Sequence, residues 1–135
     1  MKDFLKKAAL LILVLLYTGV SFSQRNKIEK ADKVFKTYSF IDAREIYLKV
    51  VENGYESAQI YKKLGDTYYY NSEYESASIW YTKLINAYPG DTEAEYYFKA
   101  AQSLKSANKY EESDALMKTY AQKGGEGIIV SHFEN

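Results

Sequence analysis

The side chains that most often carry enzyme chemistry are scarce in this chain. Its 135 residues include no Cys and a single His, His132, near the C-terminal end. A thiol nucleophile, a thiolate zinc site and a disulfide framework are therefore excluded, and spacing suggests no Ser, His and Asp set. The acidic residues lie among basic ones and form no run that resembles a calcium-binding loop. We expect no enzyme activity, no metal site and no cofactor.

Binding chemistry is better supplied, because the chain contains 15 Tyr and 6 Phe. Aromatic rings bring large contact areas and are frequent anchors at protein interfaces. The charges balance, with 18 basic and 18 acidic residues. Residues 1–23 hold three Lys and one Asp, so removing them leaves 15 basic and 17 acidic residues. This balance does not indicate a nucleic-acid partner.

The elements that would position such rings are clearest between residues 58 and 91. Apolar and small side chains recur there at the three- and four-residue steps of an amphipathic helix. One stripe consists of Tyr61, Leu64, Gly65 and Tyr68, and a second of Tyr74, Ala77, Tyr81, Leu84 and Tyr88. Ser72 and Glu75 fit a capping box that starts the second helix, and Pro89-Gly90 ends it. We therefore predict two antiparallel helices that approach closely where Gly65 and Ala77 carry little side chain.

This unit recurs on both sides. Aligning one small residue of each second helix gives intervals of 34 and 36 residues, at Ala43, Ala77 and Ser113. We attribute the longer interval to two residues added in the turn at 89–93, and Asn108 with Glu111 repeats the capping box. The predicted repeats are residues 24–57, 58–93 and 94–123. In the first of them Lys27 and Lys30 replace apolar residues, as expected of a polar helix that caps an array.

The central unit resembles the tetratricopeptide repeat. The signature positions are Tyr61, Leu64, Gly65, Tyr68, Ala77, Tyr81 and Pro89. The resemblance implies an all-α fold, a right-handed superhelix of three helix-turn-helix repeats that forms an α-solenoid. It also implies a concave groove, lined by the first helices, that binds a protein or peptide. An ordinary helical hairpin that shares the period by chance is the alternative.

The candidate binding residues lie on the first helices, away from the predicted hairpin contact. They are Lys62, Asp66, Tyr69, Tyr70, Phe98, Gln102 and Lys105. Tyr69 and Phe98 are the favoured anchors, because exposed rings contribute to binding more often than Lys does. For the charged residues, an ordinary solvated surface is the alternative. The paired Lys and Asn of the family's carboxylate clamp are not visible, so recognition of a free C-terminus is not implied.

The first 23 residues have the pattern of a secretory signal peptide. Lys2, Lys6 and Lys7 precede an apolar run at 8–17, and Ser21-Phe22-Ser23 forms a small-x-small cleavage site. We expect cleavage before Gln24 and export to the periplasm or outer membrane. A retained transmembrane anchor is the alternative, although Thr18, Gly19 and Ser21 interrupt the apolar run.

A wider resemblance covers the whole chain. The signal peptide ending in SFSQ, the segment KIEKADKVFKTYSFIDAREIYLKV and the two following repeats look like the N-terminal region of Bacteroidetes OmpA-family envelope proteins. In that family such repeats precede a β-propeller and a peptidoglycan-binding domain, so the resemblance implies peptidoglycan association only through a domain that this sequence does not contain. Residues 124–135 are predicted to form a Gly-rich linker and tail, which either begins a following domain or lies against the last helix of a stand-alone relative.

The leading functional prediction is a non-enzymatic protein-protein interaction scaffold of the bacterial cell envelope. The alternative is a glycan- or peptidoglycan-associated binding module that uses the many Tyr. A hydrolase subunit is a third hypothesis, for which no residues can be named. Neither a nucleic acid nor a small-molecule cofactor is expected as a partner.

Overall fold

The computed structural model describes residues 1–124, and of residues 17–20 only the backbone. Six α-helices follow one another in this part of the chain. They are α1 (Lys2–Lys36), α2 (Phe40–Glu52), α3 (Ala58–Tyr70), α4 (Tyr74–Ala87), α5 (Ala94–Ser106) and α6 (Tyr110–Gln122), with a short 3₁₀ helix at Pro89–Asp91. Each helix packs against its neighbours in sequence. The predicted all-α class with six helices is confirmed, whereas His132 and the predicted tail from residue 125 onwards lie outside the described residues.

A tight turn joins the two helices of each pair, and each of these three turns contains one residue in the left-handed conformation. These residues are Tyr38, Ser72 and Asn108, with φ of 61°, 62° and 61°. The N–H of Ser72 donates to the carbonyl of Tyr69, and the N–H of Glu73 donates to that of Tyr68. This is the pattern of a Schellman motif, which ends a helix. The three residues follow one another at intervals of 34 and 36, so the turn geometry repeats with the sequence.

The predicted capping boxes are therefore wrong. Ser72 and Asn108 end the preceding helices, and the helices that follow are capped by Glu73 and Lys109 without a side-chain hydrogen bond. A side-chain N-cap does occur at α3, where Ser57 accepts a hydrogen bond from the N–H of Ile60 at 3.3 Å. The Ser-x-x-Glu pattern gave a wrong prediction because backbone hydrogen bonds close this turn. Ser72 is therefore not needed as a side-chain cap and takes the left-handed position.

The longer interval between the second and third pairs has two sources. Helix α4 has 14 residues where α2 has 13. The connection at 88–93 is also one residue longer than the connection at 53–57. The two added residues are therefore divided between a helix and a loop, and the prediction that both lie in the turn was wrong. The starts of α3 and α5 coincide with the predicted repeat boundaries at Ala58 and Ala94.

Gly65 of α3 lies directly against the ring of Tyr81 of α4. A β-carbon at position 65 would lie 2.9 Å from Cζ of Tyr81, and nearer still to Cδ1 and Cε1. Close packing at Gly65 is as predicted, but its partner is an aromatic ring and not the small Ala77. Tyr81 and Ala77 are both completely buried. The absence of a side chain at position 65 makes room for a whole ring between the helices.

We expect Gly65→Ala to destabilise the protein, because the added methyl group displaces the Tyr81 ring from a fully packed site. Overpacking of this kind costs about 1–3 kcal/mol, which exceeds the gain of up to about 1 kcal/mol from replacing Gly by Ala in a helix. Gly90→Ala is the matched control, since nothing lies within 4 Å of a β-carbon there. Urea denaturation of both variants provides the comparison. Equal midpoints would show that the Gly65–Tyr81 contact does not constrain the fold.

Candidate binding surface

Asp66, one of the predicted binding residues, lies inside the array. It is 7% exposed. Its Oδ1 accepts a hydrogen bond from the Tyr81 hydroxyl at 2.7 Å and another from Nζ of Lys99 at 3.0 Å. The prediction that Asp66 lies away from the hairpin contact is therefore wrong. The residue joins three helices, because Tyr81 belongs to α4 and Lys99 to α5.

Aromatic rings surround the ammonium group of Lys99. Its Nζ lies 5.2 Å from the ring centre of Tyr70 and 4.9 Å from that of Tyr96, within the range of a cation–π interaction. Burial alone would lower the pKa of Lys99, but the charge and hydrogen bond of Asp66, with a contribution from Tyr70, raise it above its ordinary value. Lys99 thus remains charged and serves to hold the second and third helix pairs together.

The Tyr–Asp hydrogen bond occurs in the first helix pair as well. There the hydroxyl of Tyr47 donates to Oδ1 of Asp32, and both residues precede their counterparts Tyr81 and Asp66 by 34 positions. We did not predict these Tyr–Asp pairs from the sequence, although a Tyr and an Asp that both recur at the repeat interval could have indicated them. In the third pair the corresponding residue, Gln102, instead accepts a hydrogen bond from the hydroxyl of Tyr69.

Two further ion pairs link consecutive helix pairs, and each cation also lies over a tyrosine ring. Nη1 of Arg44 donates to Oε1 of Glu73 at 2.7 Å, with the guanidinium 4.3 Å from the ring centre of Tyr68. Lys62, a predicted binding residue, pairs with Glu93 at 2.5 Å. The hydrogen bonds from Arg44 and Lys62 are the main reason why the pKa values of Glu73 and Glu93 lie below the usual range. Lys62 therefore already has a partner within the chain.

Both predicted aromatic anchors take part in internal packing. The Tyr69 ring contacts Tyr74 and Tyr81 of α4 at centre distances of 5.5 and 6.2 Å. Phe98 packs against Tyr120 of α6 at 5.5 Å. The prediction that neither ring is needed for the hairpin contacts is wrong, because each lies against the second helix of its own pair. The two rings also contact different neighbours and form no shared patch.

The remaining predicted residues are more accessible. Tyr70 is 49% exposed, and Gln102 and Lys105 are exposed. A groove of about 530 Å³ also lies between the first helices α1 and α3. It is lined by Ser21, Arg25, Ile28, Glu29, Asp32, Tyr55 and Gln59. On the surface of the first helices, the polar groups around Asp66 are therefore already bonded to other residues of this chain, whereas the groove beside α1 is open.

A second set of accessible rings lies at the turn end of the helix pairs. Tyr38 is 82% exposed, and Tyr74 and Tyr110, the first residues of α4 and α6, are also exposed. Tyr70 contacts Phe40 at a ring-centre distance of 5.4 Å, and Tyr38 contacts Phe40 at 6.0 Å. This edge therefore presents four exposed tyrosines, Tyr38, Tyr70, Tyr74 and Tyr110.

No group of three or more His, Cys, Asp or Glu side chains within residues 1–124 is placed to hold a metal ion. No protein-family model matches the chain, and no curated protein matches it. Within residues 1–124 the fold is an array of paired helices joined by ion pairs, of which Lys99–Asp66 is buried.

We expect Asp66→Ala to cost about 3 kcal/mol of unfolding free energy, because removing one partner of a buried ion pair leaves the other charge uncompensated. Asp66→Ala combined with Lys99→Met should recover most of that loss. Glu73→Ala is the control, since its carboxylate is more exposed and such pairs contribute about 1 kcal/mol or less. Urea denaturation of the four proteins tests this. A cost for Asp66→Ala no greater than that for Glu73→Ala would contradict the structural role.

Stability should also fall at alkaline pH. Burial is the largest cause of the raised pKa of Tyr47 and Tyr81, followed by their Asp partners, and burial raises the pKa of Tyr61 to about 12. Unfolded tyrosine loses its proton near pH 10, so the stabilisation is complete below pH ~10 and is lost as the pH rises towards the folded pKa. Each such residue contributes a slope of about 1.4 kcal/mol per pH unit.

Urea denaturation between pH ~8 and ~11 measures that slope. Tyr81→Phe should reduce it, whereas Tyr38→Phe, at an exposed ring, should leave it unchanged. A slope that is the same in both variants would show that the buried hydroxyl groups do not govern the alkaline transition.

Proposed function

We propose that this protein is a non-enzymatic scaffold for protein-protein interactions in the bacterial cell envelope. It binds a protein or peptide along the first helices of a tetratricopeptide-like array. The observation that carries the proposal is the repetition of the helix pairs at intervals of 34 and 36 residues, with the groove that α1 from Arg25 onwards forms with Tyr55 and with Gln59 at the start of α3. Arrays of this type bind extended segments along such a surface.

Two features support the tetratricopeptide assignment beyond the intervals themselves. The left-handed residue recurs in all three intra-pair turns, and the signature Gly65 and Tyr81 are in direct contact. A turn that recurs in every pair supports a like geometry for the three pairs, and stacking of like pairs generates a superhelix. We propose the right-handed hand from the family resemblance.

Export is part of the proposal, with cleavage before Gln24. Helix α1 is long and apolar enough to cross a membrane, by length and composition, and a signal sequence meets the same test. Gln24 is the first buried residue among those whose side chains the structure describes. Removal of residues 1–23 would therefore take nothing from the described core, as the proposed cleavage requires. The periplasm or outer membrane is the proposed location, as in the OmpA-family proteins that the chain resembles.

The structure changes which residues we assign to the binding surface. Asp66 and Lys62 are held by Lys99, Tyr81 and Glu93, so their charges serve the array. The proposed contact residues are Tyr70, Gln102 and Lys105, extended by Arg25 and Gln59 in the groove. Of these, Tyr70 combines an exposed ring with a fixed position and is the proposed anchor.

The test uses photo-crosslinking in cells that produce the exported protein. A photoreactive residue at Gln59 or Tyr70 should form crosslinks to one defined set of envelope proteins. The same residue at Ile79, exposed on the second helix α4, is the matched control and should not. Tyr70→Ala should weaken binding of a partner so identified by about 1–2 kcal/mol, as expected of an interface anchor. Equal crosslinking at all three positions would contradict binding along the first helices.

A glycan- or peptidoglycan-associated function is the second candidate, favoured by the exposed rings of Tyr38, Tyr74 and Tyr110 at the turn end. Sugar rings bind to such aromatic faces through their apolar sides. Heteronuclear NMR titration with peptidoglycan fragments distinguishes the two functions. Shifts confined to the turn end would support glycan binding, and the absence of shifts would leave the protein partner as the proposal.

A further inference from the structure

The two Tyr–Asp pairs of the array differ in whether a cation of this chain neutralises the carboxylate. In the second helix pair Nζ of Lys99 donates to Oδ1 of Asp66 at 3.0 Å, and both side chains are largely buried. In the first pair Asp32 accepts from the Tyr47 hydroxyl in the same way. No ion pair joins Asp32 to a Lys or Arg among the residues whose side chains the structure describes. The Asp32 carboxylate is thus held in place by a hydrogen bond that leaves its charge uncompensated.

The residue that corresponds to Lys99 in the preceding first helix is Lys63, because each is the sixth residue of its helix, α5 or α3. Nζ of Lys63 lies 4.4 Å from the ring centre of Phe35, within the range of a cation–π interaction. Phe35 follows Asp32 on α1 by three residues. Lys63 therefore engages a neighbouring ring and does not repeat the contact that Lys99 makes.

Asp32 instead lines the groove beside α1, with Arg25, Glu29 and Tyr55, all of which remain after the proposed cleavage. Arg25 precedes Asp32 by seven residues, a separation of roughly 10 Å along a helix. The exposed Lys33 donates to Glu29 at 3.0 Å. Asp32 is therefore accessible from the groove, and neither of these neighbouring cations neutralises it.

We propose that Asp32 receives the ammonium group of a lysine side chain from the bound protein segment. The inference rests on the proposed binding along the first helices, and it names the chemistry that this groove recognises. The contact between Lys99 and Asp66 is an internal example, since a carboxylate held by a tyrosine hydroxyl there binds an ammonium group from another helix. The partner segment supplies to the first pair the cation that α5 supplies to the second.

Charge complementarity makes a lysine the favoured occupant of this part of the groove. Hydrogen bonds between charged groups are shorter and stronger than those between neutral groups. The Tyr47 hydroxyl already orients the carboxylate, so less freedom is lost when the ammonium group binds. The ring of Tyr55, which is 40% exposed, lies in the same groove and offers an apolar surface to the methylene chain of the lysine. The contact is local, and it does not require a partner that is basic overall.

The first measurement asks whether a cation of this chain already neutralises Asp32. Asp66→Asn leaves the charge of Lys99 buried and should lower Tm by about 10 °C or more. Asp32→Asn keeps an acceptor for the Tyr47 hydroxyl and removes no ion pair, so it should change Tm by no more than about 4 °C. An equal loss of Tm in both variants would show that Lys63 or another cation of this chain binds Asp32, and would overturn the inference.

The second measurement is a heteronuclear NMR titration of the exported protein with two small probes at millimolar concentration. Nα-acetyl-lysine amide carries the ammonium group, and Nα-acetyl-norleucine amide has the same carbon chain without it. The lysine probe should shift the amide signals around Asp32 and Tyr55, and the norleucine probe should not. These shifts should be lost in Asp32→Asn and retained in the control Glu111→Gln, which removes an exposed charge from the first turn of α6.

Three results of this titration would overturn the inference. They are equal shifts with both probes, shifts that persist in Asp32→Asn, and the absence of shifts with the lysine probe.

Photo-crosslinking in cells separates the inference from the proposed function. Asp32→Asn should reduce crosslinking of the partner from Gln59 about tenfold, because a hydrogen bond between charged groups is lost. Glu111→Gln should leave the crosslinking unchanged. Unchanged crosslinking in Asp32→Asn would overturn the lysine contact but leave binding along the first helices in place. The absence of crosslinks from both Gln59 and Tyr70 would overturn the proposed function, and the lysine contact with a protein partner would fall with it.

Discussion

The structure depends on the way a tyrosine is accommodated between two helices. Tyr81 lies over Gly65, where any side chain would occupy the space of its ring. The Tyr81 hydroxyl group, which would otherwise be buried without a partner, donates to Asp66, the residue that follows Gly65 on α3. The carboxylate then requires a counter-charge, and Lys99 of the following pair provides it. The absence of a side chain at Gly65 thus makes room for the Tyr81 ring. The contacts among Tyr81, Asp66 and Lys99 then join two neighbouring helix pairs.

This arrangement limits what the first helices can offer to a partner. Lys62 and Lys99 of the first helices bind acidic residues of this chain and also approach tyrosine rings. A ligand that competed for them would have to compensate a buried or partly buried charge. Recognition along this surface is therefore expected to use rings and neutral polar groups, such as Tyr70 and Gln102, more than net charge.

The sequence predicted the helices well because their signal is local. Apolar residues at three- and four-residue steps, with Pro89-Gly90 as a stop, depend only on neighbours along the chain. The turn chemistry was predicted wrongly, since Ser72 followed by Glu75 fits a cap as well as a left-handed turn, and backbone bonds decided between them. The position of Asp66 could not be read from its helical face, because its partner Lys99 lies 33 residues away. Comparing the repeats would have shown that Asp32 and Asp66 are equivalent.

The third helix pair shows how the polar layer changes at the last described repeat. Gln102 and Met117 stand where the second pair has Asp66 and Tyr81, so α5 and α6 cannot form the internal Tyr–Asp bond. Gln102 accepts from Tyr69 instead, and Lys99 donates to Asp66, so these two side chains of α5 bond to α3. Gln102 thus links the third pair to the second, where Asp66 bonds within its own pair. Because these contacts lie on the first helices, they fix the relative position of α3 and α5 and so set the shape of the surface on which we propose that a segment binds.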